Sequence, residues 1–333
     1  MSVETNVPVG SEELTLNMVT QAGVTEEKEP PQMYFRWGRT IAMVLVHVAA
    51  LSIFIPWVFS WTAIIVALVS WKVFGMMGIT IGYHRLLTHQ GFTCPKWVER
   101  SLATLGACCL QGPPARWVGT HRAHHQFSDE EDDPHSPRKS FFWSHMGWLF
   151  FDTEGYLPKQ VCERYAPDLM RSRFYSWLER GLNTELLYVI HAALYWLAGF
   201  GFGWWAFGSA LAGVQLGTSL VVWAVVFRTV WVWHVTWSVN SVTHVFGYRN
   251  YDEPDDSRNN WLVALMAHGE GWHNNHHADQ RSACHGHRWW EFDLSYQVIR
   301  TMKLLRLARD VVTPQPKRMQ NKYADKQPPS ADS

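Results

Sequence analysis

Apolar positions along this chain fall in long runs rather than in the short stripes of a water-soluble protein. From Ile41 to Tyr83 the run is nearly unbroken, and Lys72 is its only formal charge. At roughly 1.5 Å per helical residue, such a run is about twice what one bilayer crossing needs. A break near Pro56–Trp61 divides it into spans at about 40–58 and 61–80. A second run, from about Leu186 to Val235, divides around Gly201–Ala212 into spans at about 186–206 and 213–235. The pattern predicts an all-α membrane protein with four transmembrane helices in two hairpins. Runs of this length, occurring in pairs, argue against the buried core of a large soluble protein. Trp57, Trp61, Trp204 and Trp205 sit at the proposed turns, where an interfacial aromatic belt belongs.

Lys and Arg set the expected orientation. The two hairpin turns carry none. The segment between the hairpins (Arg85, Lys96, Arg100, Arg116, Arg122) and the stretch after the fourth span (Arg249, Arg258, Arg281, Arg288) carry many. The positive-inside rule places both segments, and both termini, in the cytoplasm. Residues 1–33 are polar and Glu-rich and read as a disordered lead-in; no secretory signal is visible. Residues 313–333 read as a flexible tail, which leaves 34–312 as one membrane domain.

Composition removes other classes. Charged residues make up 17%, below the roughly 25% of ordinary globular proteins, and formal net charge is zero. No basic stripe interleaves with aromatics, which excludes a nucleic-acid surface. Cys94, Cys108, Cys109, Cys162 and Cys284 show no framework spacing and read as reduced structural thiols.

The chemistry lies in the histidines. Eight of 17 form three clusters: His84 and His89 (HRLLTH); His121, His124 and His125 (HRAHH); His273, His276 and His277 (HNNHH). Neutral imidazole is the commonest metal ligand among side chains. Eight donors exceed one tetrahedral site and imply a two-metal centre. HRAHH and HNNHH place their histidines at i, i+3 and i+4, on one helical face. His84 and His89 do not share a face of an α-helix, so they converge only if the helix ends or tightens between them. Asn240 and His244, at i and i+4 after the fourth span, add a ninth imidazole on the same side of the membrane. His47, His135, His145, His191, His234, His268, His285 and His287 are read as structural, with His47 and His191 hydrogen-bonded inside the bundle and His268 and His287 near the site in sequence only. Lys72 has no account at this level. Arg228 is expected to snorkel to the cytoplasmic interface.

Which metal follows by elimination of patterns. HExxH is absent, against a zinc peptidase. Soluble di-iron carboxylate centres need two Glu-x-x-His pairs, and only Glu270-Gly-Trp-His273 has that spacing. Haem ligation by His47 and His191 would leave the clusters unexplained. An imidazole-rich pair of sites beside a membrane points to iron and O₂.

The three clusters in their contexts, Gly82-Tyr83-His84-Arg85, Trp117-Val118-Gly119-Thr120-His121 and Gly269-Glu270-Gly271-Trp272-His273, resemble the integral-membrane fatty acyl desaturases, in particular the Δ9 branch of stearoyl-CoA and acyl-lipid enzymes. The resemblance runs from about 40 to 312 and includes Asp129–His135, Ser144–Leu149, Asn240–His244 and Trp289–Asp293. It implies a cytosolic helical cap holding a di-iron centre. The implied ligands are His84, His89, His121, His124, His125, His244, His273, His276 and His277, with Asn240 holding a metal-linked water. It implies that the second and fourth spans extend past the bilayer, and that His84 and His89 ligate different irons or flank a helix break. The implied reaction inserts a cis double bond, at Δ9, into a long-chain acyl-CoA or acyl-lipid, using O₂ and two electrons. With no fused cytochrome b5-like domain, ferredoxin or cytochrome b5 is the expected external donor.

Stretches such as Met76–Ile81 are candidates for an acyl tunnel or for plain small-residue packing. Two departures from the family pattern, Asp279 and Cys284, follow the third cluster and put head-group recognition in doubt. The loops are closer to cyanobacterial and plant relatives than to animal ones. The alternatives are a di-iron membrane hydroxylase or alkane monooxygenase, and a membrane metal carrier; for the carrier, His47, Lys72, His191 and Arg228 do not make a polar path.

Overall fold

The structure, a computed structural model, describes residues 32–315. The expected lead-in up to residue 31 and the tail from 316 onward lie outside the described residues. Four helices are long and apolar enough to cross a membrane: Trp37–Phe54, Trp61–Thr88, Asn183–Phe207 and Ala210–Val245. Their ends follow local chemistry. Ser60 caps the second span by accepting from the Ala63 N–H. Gly208, in the left-handed region at φ 64°, ends the third span, and Ser209 then caps the fourth. Val44, Leu45, Val48, Ile65, Leu194 and Leu197 are more than half exposed, as side chains facing lipid would be.

The third and fourth spans pack through small residues. A side chain at Gly199 would come within 2.7 Å of the Gly217 Cα, and one at Gly203 within 2.9 Å of the Gly213 Cα. The first span, although joined to the second by a short turn, packs against the fourth.

The second and fourth spans run on to 88 and 245, beyond the 80 and 235 read from hydropathy. From Trp71 to Thr88 the second is wound with i→i+5 hydrogen bonds, and so is Val221–Phe227 in the fourth. The helix ends at Thr88, between His84 and His89, as one of the two expected ways for them to converge, and its last turns are widened rather than tightened. His89 N–H donates to His84 C=O at 3.1 Å, so five residues complete about one turn and both rings face one side.

The cap is built around the extended second span. Ile81, Tyr83 and Leu86 pack with Val98, Leu102 and Ala103 of helix Lys96–Ala107 and with Ile299 and Met302 of helix Leu294–Leu304. Gly78 has no room for a side chain against the Gly106 backbone, so part of Met76–Ile81 serves packing. The cap is not wholly helical: Met33–Phe35 pairs antiparallel with Phe151–Thr153, Tyr34 opposite Asp152. Met33 therefore belongs to the folded domain, not the lead-in. At the other end, Val312 N–H donates to Gly91 C=O, and Gln315 N–H to Asp279.

Arg228 does not snorkel. It is 1% exposed, donates to the carbonyls of Ala224 and Cys108, and lies 4.6 Å from the Phe74 ring. His191 sits beside it and His47 bonds Met43 C=O and His234, as expected of bundle histidines. Lys72 Nζ lies 3.9 Å over the Trp71 ring, a cation–π contact. All five cysteines are free.

Candidate metal centre

The three clusters and His244 come together at the cap ends of the second and fourth spans. They form two groups whose ligand atoms lie within 4.8 Å of one another: His84, His89, His121, His125 and His276; and His124, His244, His273 and His277. All nine histidines read from the sequence are included, and His84 and His89 fall in the same group. Helix Pro114–Phe127 contributes to both groups, and so does the short helix His273–Ala278.

Hydrogen-bond partners fix which nitrogen faces inward. His124 Nδ1 meets Asp133 at 2.9 Å, His244 Nδ1 meets Asp129 at 3.0 Å, and His277 Nδ1 meets Asp255 at 2.7 Å. His84 Nδ1 lies 2.7 Å from Glu270. A carboxylate only accepts, so in the three aspartate pairs Nδ1 carries the proton and Nε2 presents a lone pair inward. The inward atoms crowd: Nε2–Nε2 distances are 3.2 Å for His84–His276, 3.0 Å for His276–His125, 3.1 Å for His125–His121, 3.1 Å for His273–His244 and 3.1 Å for His277–His273. His244 and His277 both aim lone pairs at His273 Nε2, which has at most one proton to give. Convergent lone pairs with too few protons suit a cation, and the donor set fits a metal that accepts imidazole.

Electrostatics keep the donors ready. Burial first, and then neighbouring imidazoles, push His89, His121, His125, His273 and His276 well below the ordinary histidine range, so they are neutral. Burial would raise Asp133 and Asp255, but His124 and His277 respectively hold them down as carboxylates. Burial likewise opposes ionisation of Glu270, and Arg85 and His84 outweigh it.

Several working residues were missed in the sequence. Asp129, Asp133, Asp255 and Glu270 brace the imidazoles; the acidic run after HRAHH was the local signal for Asp129 and Asp133, and the Glu-x-x-His spacing to His273 that for Glu270. The two arginines inside the clusters are clamps. Arg85 joins Glu270 at 3.0 Å, Asp293 at 2.8 Å and Ala283 C=O at 2.7 Å, tying the first cluster to the third. Arg122 joins Leu87 C=O at 2.8 Å and Asp168 at 2.7 Å, tying the second to the first. Gly269, at φ 116°, passes so close to Asp293 that a side chain would collide. His135 and His285, assigned no role, lie beside the groups, each facing one of their carboxylates.

Two cavities reach the centre. One, of about 410 Å³, has apolar walls from Met43, Val46, Leu149, Trp233 and Trp237, and Arg36, Arg39 and Arg116 also line it. A smaller one, of about 50 Å³, is bounded by Trp71, Gly75, Ile79 and Val232. Trp117, His121, Thr236 and Asn240 line both. His268 lines the smaller cavity, so it is near the site in space as well as in sequence. Asp279 and Cys284 line neither; they bond within the chain after the third cluster, Asp279 with Gln315 N–H and Cys284 with Gly286 C=O.

Grouped imidazoles beside an apolar cavity, carried on membrane-crossing helices, define a membrane oxidoreductase of apolar chains. The family model described as fatty acid desaturase matches residues 55–303, and the chain belongs to that family. It is 43% identical over 282 residues to an sn-1 stearoyl-lipid 9-desaturase of Anabaena variabilis, covering 83% of this chain and 93% of the relative. It is 43% identical over 270 residues to an acyl-CoA 5-desaturase of Anemone leveillei, covering 80% and 77%. A chloroplastic palmitoyl-monogalactosyldiacylglycerol delta-7 desaturase of Arabidopsis thaliana is 40% identical over 290 residues, covering 86% and 71%. The protein is a fatty acyl desaturase, and the relatives do not favour the hydroxylase or the metal carrier.

Proposed function

We propose that the chain introduces a cis double bond at Δ9 of a saturated long-chain acyl group, carried on a glycerolipid or CoA, with two irons held by the nine imidazoles. The observation that carries the metal assignment is the excess of inward lone pairs over protons in both histidine groups. His84, His89, His121, His125 and His276 would hold one iron, and His124, His244, His273 and His277 the other. An unactivated C–H bond offers no acidity to a base, so the oxidising chemistry is that of the irons with O₂. In the balance, a CH₂–CH₂ unit loses two hydrogens, and two external electrons with two protons from solvent complete the reduction of O₂ to two waters.

The chain's own residues supply position. The acyl chain threads the larger cavity with its head toward Arg36, Arg39 and Arg116, and passes His121 and Asn240 into the smaller one. Met43, Trp233 and Trp237 exclude water from its flank. Asn240 lines both cavities four residues before His244, which suits it to hold a water beside the centre. The names of the relatives support Δ9 through the Anabaena protein, while those from Anemone and Arabidopsis name other positions on the same framework. The Lys and Arg distribution supports a cytoplasmic centre and cytoplasmic termini, within reach of a soluble donor such as ferredoxin or of membrane-bound cytochrome b5.

Lipid analysis after expression in a desaturase-deficient host tests this reading. The expected result is a new cis-9 monounsaturated acyl chain. A hydroxylated chain, or no change in a host that supplies both donors, contradicts it.

A further inference from the structure

Histidine 285 stands outside both groups yet is buried against one of them. It is 1% exposed. Its ring stacks on His276 with centroids 4.4 Å apart, and its centroid lies 5.5 Å from that of His84. Its Nδ1 lies 3.2 Å from Glu270 Oε2, the same oxygen that His84 Nδ1 approaches at 2.7 Å. The backbone pins it in place: His285 N–H donates to Asp293 at 2.8 Å, and Asn275 donates to its carbonyl at 2.9 Å. Asp293 and Glu270 are both held by the fully buried Arg85.

These contacts matter because the five-imidazole group has little other support. The Nδ1 atoms of His84, His125 and His276 are buried without a hydrogen bond of good geometry among the described residues, His84 lying in close contact with Glu270 only. Only His84 has a carboxylate behind it, and that carboxylate is shared with His285. A ring stacked on one donor and sharing the anchor of a second restricts the tilt of both.

We propose that His285 is a positioning residue for the five-imidazole group, setting the inward direction of His276 by ring stacking and of His84 through the shared Glu270 carboxylate. It contributes no ligand of its own. This role rests on the reading that the group binds a metal.

The test is cobalt titration of the full-length, metal-stripped protein in lipid nanodiscs, following visible absorption and metal content. The variants are His285→Ala, His285→Phe and His285→Gln. Wild type is expected to take up two cobalt ions. In His285→Ala, one of the two is expected to bind about 10–100-fold more weakly with a shifted absorption band, the usual effect of removing a group that orients a ligand. His285→Phe keeps the stack but not the polar contact, and should recover only part of the affinity. His285→Gln keeps a donor for Glu270 and should also recover part. Wild-type affinity and an unchanged band in His285→Ala would overturn the role. Weakening of both sites together, with an equal fall in the melting temperature of the metal-free protein, would show general packing instead and would also overturn it. A wild-type protein that takes up no cobalt would overturn the metal centre itself, a different failure.

Discussion

The four-imidazole and five-imidazole groups use one residue type but are held in different ways. In the first, His124, His244 and His277 each end on an aspartate: Asp133, Asp129 and Asp255. In the second, the one carboxylate is Glu270, which is also tied to Arg85. Three acids raise the basicity of their imidazoles and add negative charge near any cation held there. The less braced group is the one that faces the cavities, through His84 and His121. The one carboxylate of that group, Glu270, lines the smaller cavity beside His84, while Asp129, Asp133 and Asp255 line neither cavity.

The largest effects should come from the donors themselves. His124→Ala should empty the four-imidazole group and His276→Ala the five-imidazole group. Each is expected to abolish desaturation, read by gas chromatography of acyl chains, with metal content per chain falling in parallel. Full turnover by either variant would remove that residue from the ligand set.

Next come the braces. Asp255→Asn keeps size but removes the charge behind His277, and should weaken metal binding about 10–100-fold at one site only. Competition with a chelator measures this. Equal weakening at both sites would erase the distinction between the groups.

Asn240→Ala sharpens the comparison from the cavity side. Activity should fall more than metal content, because the residue lines both cavities without being one of the grouped donors. Equal, large losses of both would give it a structural role. Smallest is Lys72→Met. Loss of its contact with Trp71 should cost about 0.5–1 kcal/mol, the worth of an exposed cation–π pair, seen as a slight drop in melting temperature with turnover intact. Collapse of turnover would place the ammonium in the substrate path.

Much of this organisation is legible in the chain. Long apolar runs and clustered histidines are local signals, and they locate the four spans and eight of the nine grouped imidazoles. What is not legible depends on distant partners. Asp255 lies 22 residues from His277, and Arg228 meets a carbonyl 120 residues away. Neither pairing leaves a periodic trace. The widened winding at His84 and His89 is likewise tertiary: it accompanies close packing of Gly78 on Gly106, while helix propensity alone predicts an ordinary α-helix. The resemblance to desaturases supplied His244 with a role that its spacing alone left open. His285 had no signal beyond its position soon after the third cluster.

Anomalous diffraction at the iron edge, on crystals of the iron-loaded protein, tests the central claim most directly. Two peaks are predicted, one enclosed by His84, His89, His121, His125 and His276 and the other by His124, His244, His273 and His277. A single peak, or peaks away from these imidazoles, would contradict the account.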